Sequence, residues 1–314
     1  MSEVVTLTGT RAPGARPRPS GRLRRRRTIT ALVATAPFIV FCLALVGGPL
    51  AQVVRMSLSH IRLPATGFEF SWGGLANYRD VVSDPLTWAA IRHTAVFVAV
   101  TVPGSLLVGL VMALLVYRSV IMVKLARNVM IWPAVIAPVV VSLMWLLILS
   151  PTVGGLNRVL ETLGLPTQAW LNSGPGAMAS LVVVDLWHWS PVVFLVVYTA
   201  LQAIDADLLD AAKVDGATGW QELRHIILPL LAPAIAAVAV VRVIMGVKVF
   251  DEMYLLTSGG PNGATTLISQ RVQLWFFQDL KFGPAAAFSI LVVVLTAAVL
   301  GIAIGIRTWA GRRA

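Results

Sequence analysis

Acid–base, metal and nucleophilic chemistry each need particular side chains at particular spacings, and this 314-residue chain offers few of them. His60, His93, His188 and His225 are scattered without ligand spacing, and no H-E-x-x-H or nucleophile elbow occurs. The single cysteine, Cys42, excludes a disulfide framework and a Cys-based metal site, and its apolar surroundings suit a packed thiol. No G-x-x-x-x-G-K-[ST] is present, so the chain has no P-loop for ATP. No catalytic residue and no metal site is expected, and any ATP-driven work must draw on nucleotide and Mg bound by another subunit.

The remaining candidates are charges and aromatics inside apolar runs, where ionisable groups are costly and usually face a cavity or a partner. Asp185 directly precedes Leu186-Trp187-His188-Trp189, and Arg242, Lys248, Asp251 and Glu252 share another run. Lys248 lies three residues before Asp251 and four before Glu252, so a same-face ion pair is one reading. Lining a substrate pathway is the other. Trp187, Trp189 and Tyr198 can offer flat faces to a ring-shaped ligand, with Asp185 accepting from hydroxyls, yet Trp and Tyr also form interfacial belts. The pathway candidates are therefore Asp185, Trp187, Trp189, Lys248, Asp251, Glu252 and Tyr254.

The elements that must position these residues are membrane spans. The chain is 57% hydrophobic and 12% charged, against roughly a quarter charged in a soluble domain, so lipid is the solvent for most of it. Six apolar segments, 29–54, 92–117, 125–149, 177–201, 229–256 and 284–306, are long enough to cross about 30 Å of hydrocarbon. The 26 uncharged residues from Ile29 to Val54 exceed a signal-peptide core, and no A-x-A-like site closes them, so they read as a retained first span. Prolines 103, 133, 138, 191 and 233 fall within spans, where neighbouring groups or water must re-satisfy freed carbonyls.

Eight arginines fall within the first 27 residues, in a Pro/Gly/Ser/Thr-rich stretch without apolar period. That composition predicts a disordered basic arm over 1–28, a six-span domain over 29–307 and a short tail over 308–314. The arm suits anionic headgroups on the cytoplasmic side, and nucleic acid is not expected as a partner. With the N-terminus inside, sixteen Lys and Arg fall on the cytoplasmic side and seven outside, though without the arm the division is eight to seven. The arm decides the orientation, and six spans place both termini in the cytoplasm.

The connection over 202–229 reads as two short helices. Asp205 or Asp207 can cap the first, and Gly216 supplies the φ > 0 corner. Thr218 with Gln221 three residues on has capping-box spacing, and Trp220, Leu223, Ile226 and Ile227 give the second helix an apolar face. Asp205, Asp207, Asp210, Asp215 and Glu222 stand against only two cations. An acidic surface is repelled by an anionic leaflet, so a protein partner fits it better than headgroups do.

Asp210-Ala211-Ala212, Gly216, Ile226 and Leu228-Pro229 resemble, in spacing throughout, the EAA loop of ABC-importer permeases, with Asp210 where that family usually has Glu. Phe250 to Pro261 followed by Thr265-Thr266, Phe282 to Ser289, and Trp72 to Tyr78 are similar to the carbohydrate-type branch, specifically its first permease. The resemblance implies an all-α, six-helix type I importer fold in a bacterial inner membrane. It also implies that Asp210, Ala211, Ala212, Gly216, Ile226, Leu228 and Pro229 couple to a cytoplasmic ATPase pair. A second permease subunit and an extracytoplasmic solute-binding protein complete the implied complex, whose cargo is a sugar or polyol phosphate. The rival is a stand-alone ion-coupled transporter or channel, which needs a chain of intramembrane carboxylates or histidines and often paired broken helices. Only Asp185 lies away from an interface, and no second half mirrors it.

Overall fold

In lipid the backbone can satisfy itself only in helices or closed barrels, and the long runs of Val, Leu, Ala and Ile broken by few charges form helices. A computed structural model describes residues 21–64, 67–117 and 131–311. It divides into two compact units, one reaching Val53 and the other running from Val54. The arm before residue 21, the start of the expected third span and the last three residues of the tail lie outside the described residues.

In the first unit α1 (Gly21–Cys42) carries Pro37 and passes through a π segment, Leu43–Gly47, into α2 (Gly48–Ser57), whose last four residues fall in the second unit. The described part of α1 starts at Gly21, so residues 21–28, assigned to the irregular arm, are helical. Leucine and arginine are good helix formers and extend the helix backward from the apolar run.

In the second unit the end of α2 is followed by an antiparallel hairpin, β1 (Ser59–Arg62) and β2 (Glu69–Trp72), with Ser59 opposite Trp72. Then come α3 (Ala76–Ser83) and the long α4 (Pro85–Tyr117). A helical turn over 131–135 precedes α5 (Pro138–Ile148), α6 (Gly155–Thr162) and α7 (Gly174–Gln202). Two short helices, α8 (Ala206–Val214) and α9 (Gly219–Glu222), lead through a π segment into α10 (Leu228–Val247). The chain continues with α11 (Asp251–Leu256), α12 (Ile268–Gln273) and α13 (Phe282–Gly311).

Among the described residues five helices are long and apolar enough to cross a membrane: Val33–Ser57, Pro85–Tyr117, Gly174–Gln202, Gly219–Val247 and Phe282–Ile302. Two expected spans come out differently. The third is interrupted at Ala137, extended at ψ 138°, because a residue before proline is pushed out of the helical region. Its described apolar helix, α5, has only 11 residues. The fifth, expected as one helix over 229–256, stops at Val247, and α11 restarts at Asp251 with two carboxylates in its first turn, where the helix dipole favours them.

The α4–α7 crossing is close because small residues line it. A Cβ on Gly109 would lie 2.6 Å from Val193, and one on Gly104 2.8 Å from Leu186. Small-residue contacts of this kind supply packing where lipid removes the hydrophobic drive for helix association. At the hairpin end, Asn77 donates to the carbonyls of Ser57 and Ser59 at 2.9 Å each. A Cβ on Gly283 would stand 2.6 Å from the Asn77 Oδ1, so the Trp72–Tyr78 and Phe282–Ser289 stretches meet face to face.

Gly109→Leu is expected to lower thermal stability in detergent by about 1–3 kcal/mol through overpacking. Gly301→Ala, with open space around its Cβ, is expected to leave stability unchanged or slightly raised. Thermal unfolding of the two purified variants checks both.

Candidate functional site: a buried charge network and an exposed helical elbow

Charged and polar side chains on four helices meet inside the bundle. Arg242, on α10 and fully buried, donates from Nη2 to Asp185 Oδ2 on α7 and from Nε to Ser105 Oγ on α4, the latter at 3.1 Å. His188, one turn beyond Asp185, has Nδ1 3.0 Å from Glu252 Oε1 on α11 and Nε2 3.2 Å from the Ile136 carbonyl. Trp189 Nε1 donates to the same Glu252 oxygen at 3.3 Å, and the Arg242 guanidinium lies 6.0 Å over the Trp189 ring. Pairing is what makes such burial tolerable, since an unmatched ion costs several kcal/mol.

This arrangement redistributes the sequence candidates. Asp185 and Glu252 are 1% and 3% exposed and engaged with partners inside the chain, so neither offers a free carboxylate. The expected Lys248 pairing with Asp251 or Glu252 does not form, because the helix breaks between them and Glu252 turns to His188. Trp189 is partly buried in the network. Lys248, Trp187 and Tyr254 are the candidates that present surface, and Asp251 is half-buried. Trp187 makes an edge contact with Trp145 at 5.7 Å, and Tyr254 stacks on Phe250 at 5.2 Å. Lys248 lies in an apolar groove of about 560 Å³ with Phe250, Ser269, Gln273, Phe276 and Ser289. Sequence reasoning missed Ser105, Arg242 and His188 as partners. The signal available was their rarity in otherwise apolar runs.

The elbow between α7 and α10 is built by local chemistry. Asp205 caps α8, accepting from the Asp207 amide at 3.0 Å. Gly216 takes φ +79°, and its amide and that of Ala217 bond to the carbonyls of Lys213 and Ala212, closing a Schellman turn. The Thr218–Gln221 capping box forms in both directions. Leu209, Leu223, Ile226 and Ile227 pack into a core cluster with Tyr198 and Leu231. Trp220 departs from the expected apolar face and is 67% exposed, because α9 gives way to a π segment that shifts the period. Asp210 accepts from Lys213 at 2.8 Å, and this raises the Lys213 pKa. A cleft of about 980 Å³ lies beside the elbow, lined by Tyr117, Leu209, Asp210, Lys213, Trp220 and Leu223.

The opposite, hairpin end is tied by Arg271. It donates to Asp84 at 2.7 Å and lies 4.5 Å over the Trp275 ring. Asp84 also caps α4 through the amides of Leu86 and Thr87. The Thr265 hydroxyl donates to the Gly260 carbonyl, and the Ile268 amide donates to Thr94 on α4. These bonds fix the turn after α11 against the bundle.

Apolar helices suited to lipid, a sealed charge network between them and an exposed acidic elbow define an integral membrane transport component. Residues 105–306 match the family described as the binding-protein-dependent transport system inner membrane component, and the chain belongs to that family. It is 35% identical over 286 residues to a probable ABC transporter permease protein of Sinorhizobium fredii, covering 90% of this chain and 92% of that one. It is 30% identical over 275 residues to the trehalose transport system permease protein SugA of Mycobacterium tuberculosis, covering 88% and 87%. The fold superposes at a TM-score of 0.78 on a chain of a bacterial ABC transporter involved in the import of the acidic polysaccharide alginate. There the sequence identity is 23%, with 91% of this chain and 98% of that one covered. The chain is thus an ABC-importer permease of the type I fold.

Burial alone would raise the Asp84 carboxyl, but hydrogen bonds from Arg271 and Thr87 and the Arg271 charge outweigh it and hold the pKa below 3.8. A depressed carboxylate gives stability that is complete above its unfolded pKa and lost only as pH falls through the lowered native value. The stability difference between wild type and Asp84→Asn, which keeps a capping side chain but removes the charge, is therefore expected to stay constant from about pH 7 to about pH 5. Thermal unfolding at the two pH values measures it.

Proposed function

We propose that this chain is one of two permease subunits of an ATP-driven importer in a bacterial inner membrane, forming half of the pathway for a sugar or related polyol phosphate. The observation that carries the coupling role is the elbow. Its corner is fixed from both sides by a Schellman turn and a capping box, while its outward surface stays acidic and unpacked. Leu208, Val214 and Trp220 are exposed there among carboxylates, a surface suited to a basic cleft on another protein. Ala211 and Ala212 let that partner approach closely. Asp210, Gly216, Ile226, Leu228 and Pro229 hold the elbow's shape and its join to α10.

In this reading six spans place both termini and the elbow in the cytoplasm, where an ATPase dimer binds ATP and Mg and displaces α8 and α9. The hairpin end receives a solute-binding protein, in keeping with the family's description as binding-protein-dependent. Lys248, Trp187, Tyr254 and Asp251 are the pathway residues. Trp187 and Tyr254 can stack on pyranose faces, and the Lys248 groove supplies donors and acceptors from Ser269, Gln273 and Ser289. The trehalose system of one relative and the alginate transporter of the structural neighbour support a carbohydrate cargo. Asp185 and Glu252 serve the pathway indirectly, by holding its walls.

Gly216→Leu is expected to leave insertion intact and to abolish stimulation of ATP hydrolysis by cargo-loaded binding protein in the reconstituted complex. A Cβ at this position meets nothing within 4 Å, so the defect arises from the left-handed backbone. Gly216→Asn, which tolerates that conformation, is expected to retain most of the stimulation. Full stimulation in Gly216→Leu would contradict the coupling role.

A further inference from the structure

The fifth span is broken between Val247 and Asp251, and the Asp185–Arg242 and His188–Glu252 pairs lie on either side of the break. Arg242 precedes it by one and a half turns of α10, and Glu252 follows it in the first turn of α11. Both partners, Asp185 and His188, come from α7, three residues apart and hence on one face. We propose that Asp185 and His188 are positioning residues that form a two-point clamp. The clamp holds both halves of the broken span to α7, so that the break is a fixed bend in the pathway wall rather than a hinge. This inference rests on the importer reading above.

Three features support it. The pairs are crossed, with α7 giving an acid to α10 and a base to α11. Slipping the register by one turn would set Asp185 against Glu252 in one direction or His188 against Arg242 in the other, and setting acid against acid or ring N–H against guanidinium specifies against the wrong arrangement. The pairs are also linked, since Trp189 donates to Glu252 while its ring lies under the Arg242 guanidinium. Finally, the break is itself anchored: the Val249 carbonyl accepts from Ser269 Oγ, and Val249 and Met253 are buried. Non-helical backbone at membrane depth persists where it is buried in protein or lines a cavity, and here Lys248 and Tyr254 flank it at the surface. With the clamp closed, a displacement of the elbow, which joins α7 to α10, reaches Lys248 and Tyr254 through one rigid body.

The test uses the assembled transporter in a Cys42→Ser background, with spin labels at Val183 on α7, Val241 on α10 and Ser258 just after α11, all exposed positions. Without nucleotide, the clamp requires narrow 183–241 and 183–258 distance distributions in wild type. In Asp185→Leu/Arg242→Leu, which removes both charges together, the 183–241 distribution is expected to broaden. In His188→Leu/Glu252→Gln the 183–258 distribution should broaden instead. On trapping with ATP and vanadate, both wild-type distances should change by less than about 2 Å, small beside the several-ångström motions of domain closure. A larger change confined to 183–258 would make the break a hinge and overturn the clamp, as would narrow distributions in both double variants. Should either variant fail to assemble, the wild-type measurement alone decides. An ATPase that neither binds the chain nor hydrolyses ATP with it would sink the importer reading, while the nucleotide-free widths would still report on the clamp.

Discussion

An arginine that is fully buried among apolar helices has to find an anion, and the position of Arg242 constrains everything near it. Asp185 must face α10, Ser105 must face the same guanidinium from α4, and α4 must come close to α7, which is why Gly104 and Gly109 lie at that crossing. Buried ion pairs return little net stability compared with a well-packed apolar contact, yet removing one partner costs about 3–5 kcal/mol. Such a pair is better suited to specifying an arrangement than to strengthening it. The second pair, His188 with Glu252, lies ten residues further along the span and ties the first turn of α11 to α7.

The elbow is constructed on a different principle. It lies where water can reach it, so its rigidity comes from short-range capping: Asp205 at the start of α8, Gly216 at the corner and the Thr218–Gln221 box opening α9. Its inner face joins the bundle through Leu209, Leu223 and Ile227. An element with a firm shape, a packed inner face and an unpacked acidic outer face can take a push from a partner and pass it to α7 and α10. The network holds those helices together, and under the proposed clamp the elbow and the bend after α10 move as one mechanical unit.

Most of the elbow was legible in the sequence because capping is local. A glycine corner, a Thr and Gln three apart and a proline opening the next helix act within a few residues, and each forms as the spacing predicts. The apolar spans were legible because hydropathy sums over twenty residues. The network was not, because its partners are separated by 57 and 64 residues in the chain, and spacing says nothing about contacts of that range. Lys248 and Glu252 looked like a helical pair only on the assumption of an unbroken helix. Trp220 was assigned to the packed face for the same reason, since the π segment that follows it cannot be read from periodicity. Ala137 before Pro138 did carry a local signal for the broken third span, and the length of the apolar run masked it.

In the proposed importer the elbow is the surface that meets an ATPase subunit. A single cysteine at Ala211, in a Cys42→Ser background within the co-expressed transporter, and a matched one at the exposed Trp72 of the hairpin measure this with a short bifunctional cross-linker. The predicted result is a cross-link from position 211 to the ATPase and none from position 72. A cross-link from position 72, or none from 211 in a complex that hydrolyses ATP, would contradict it.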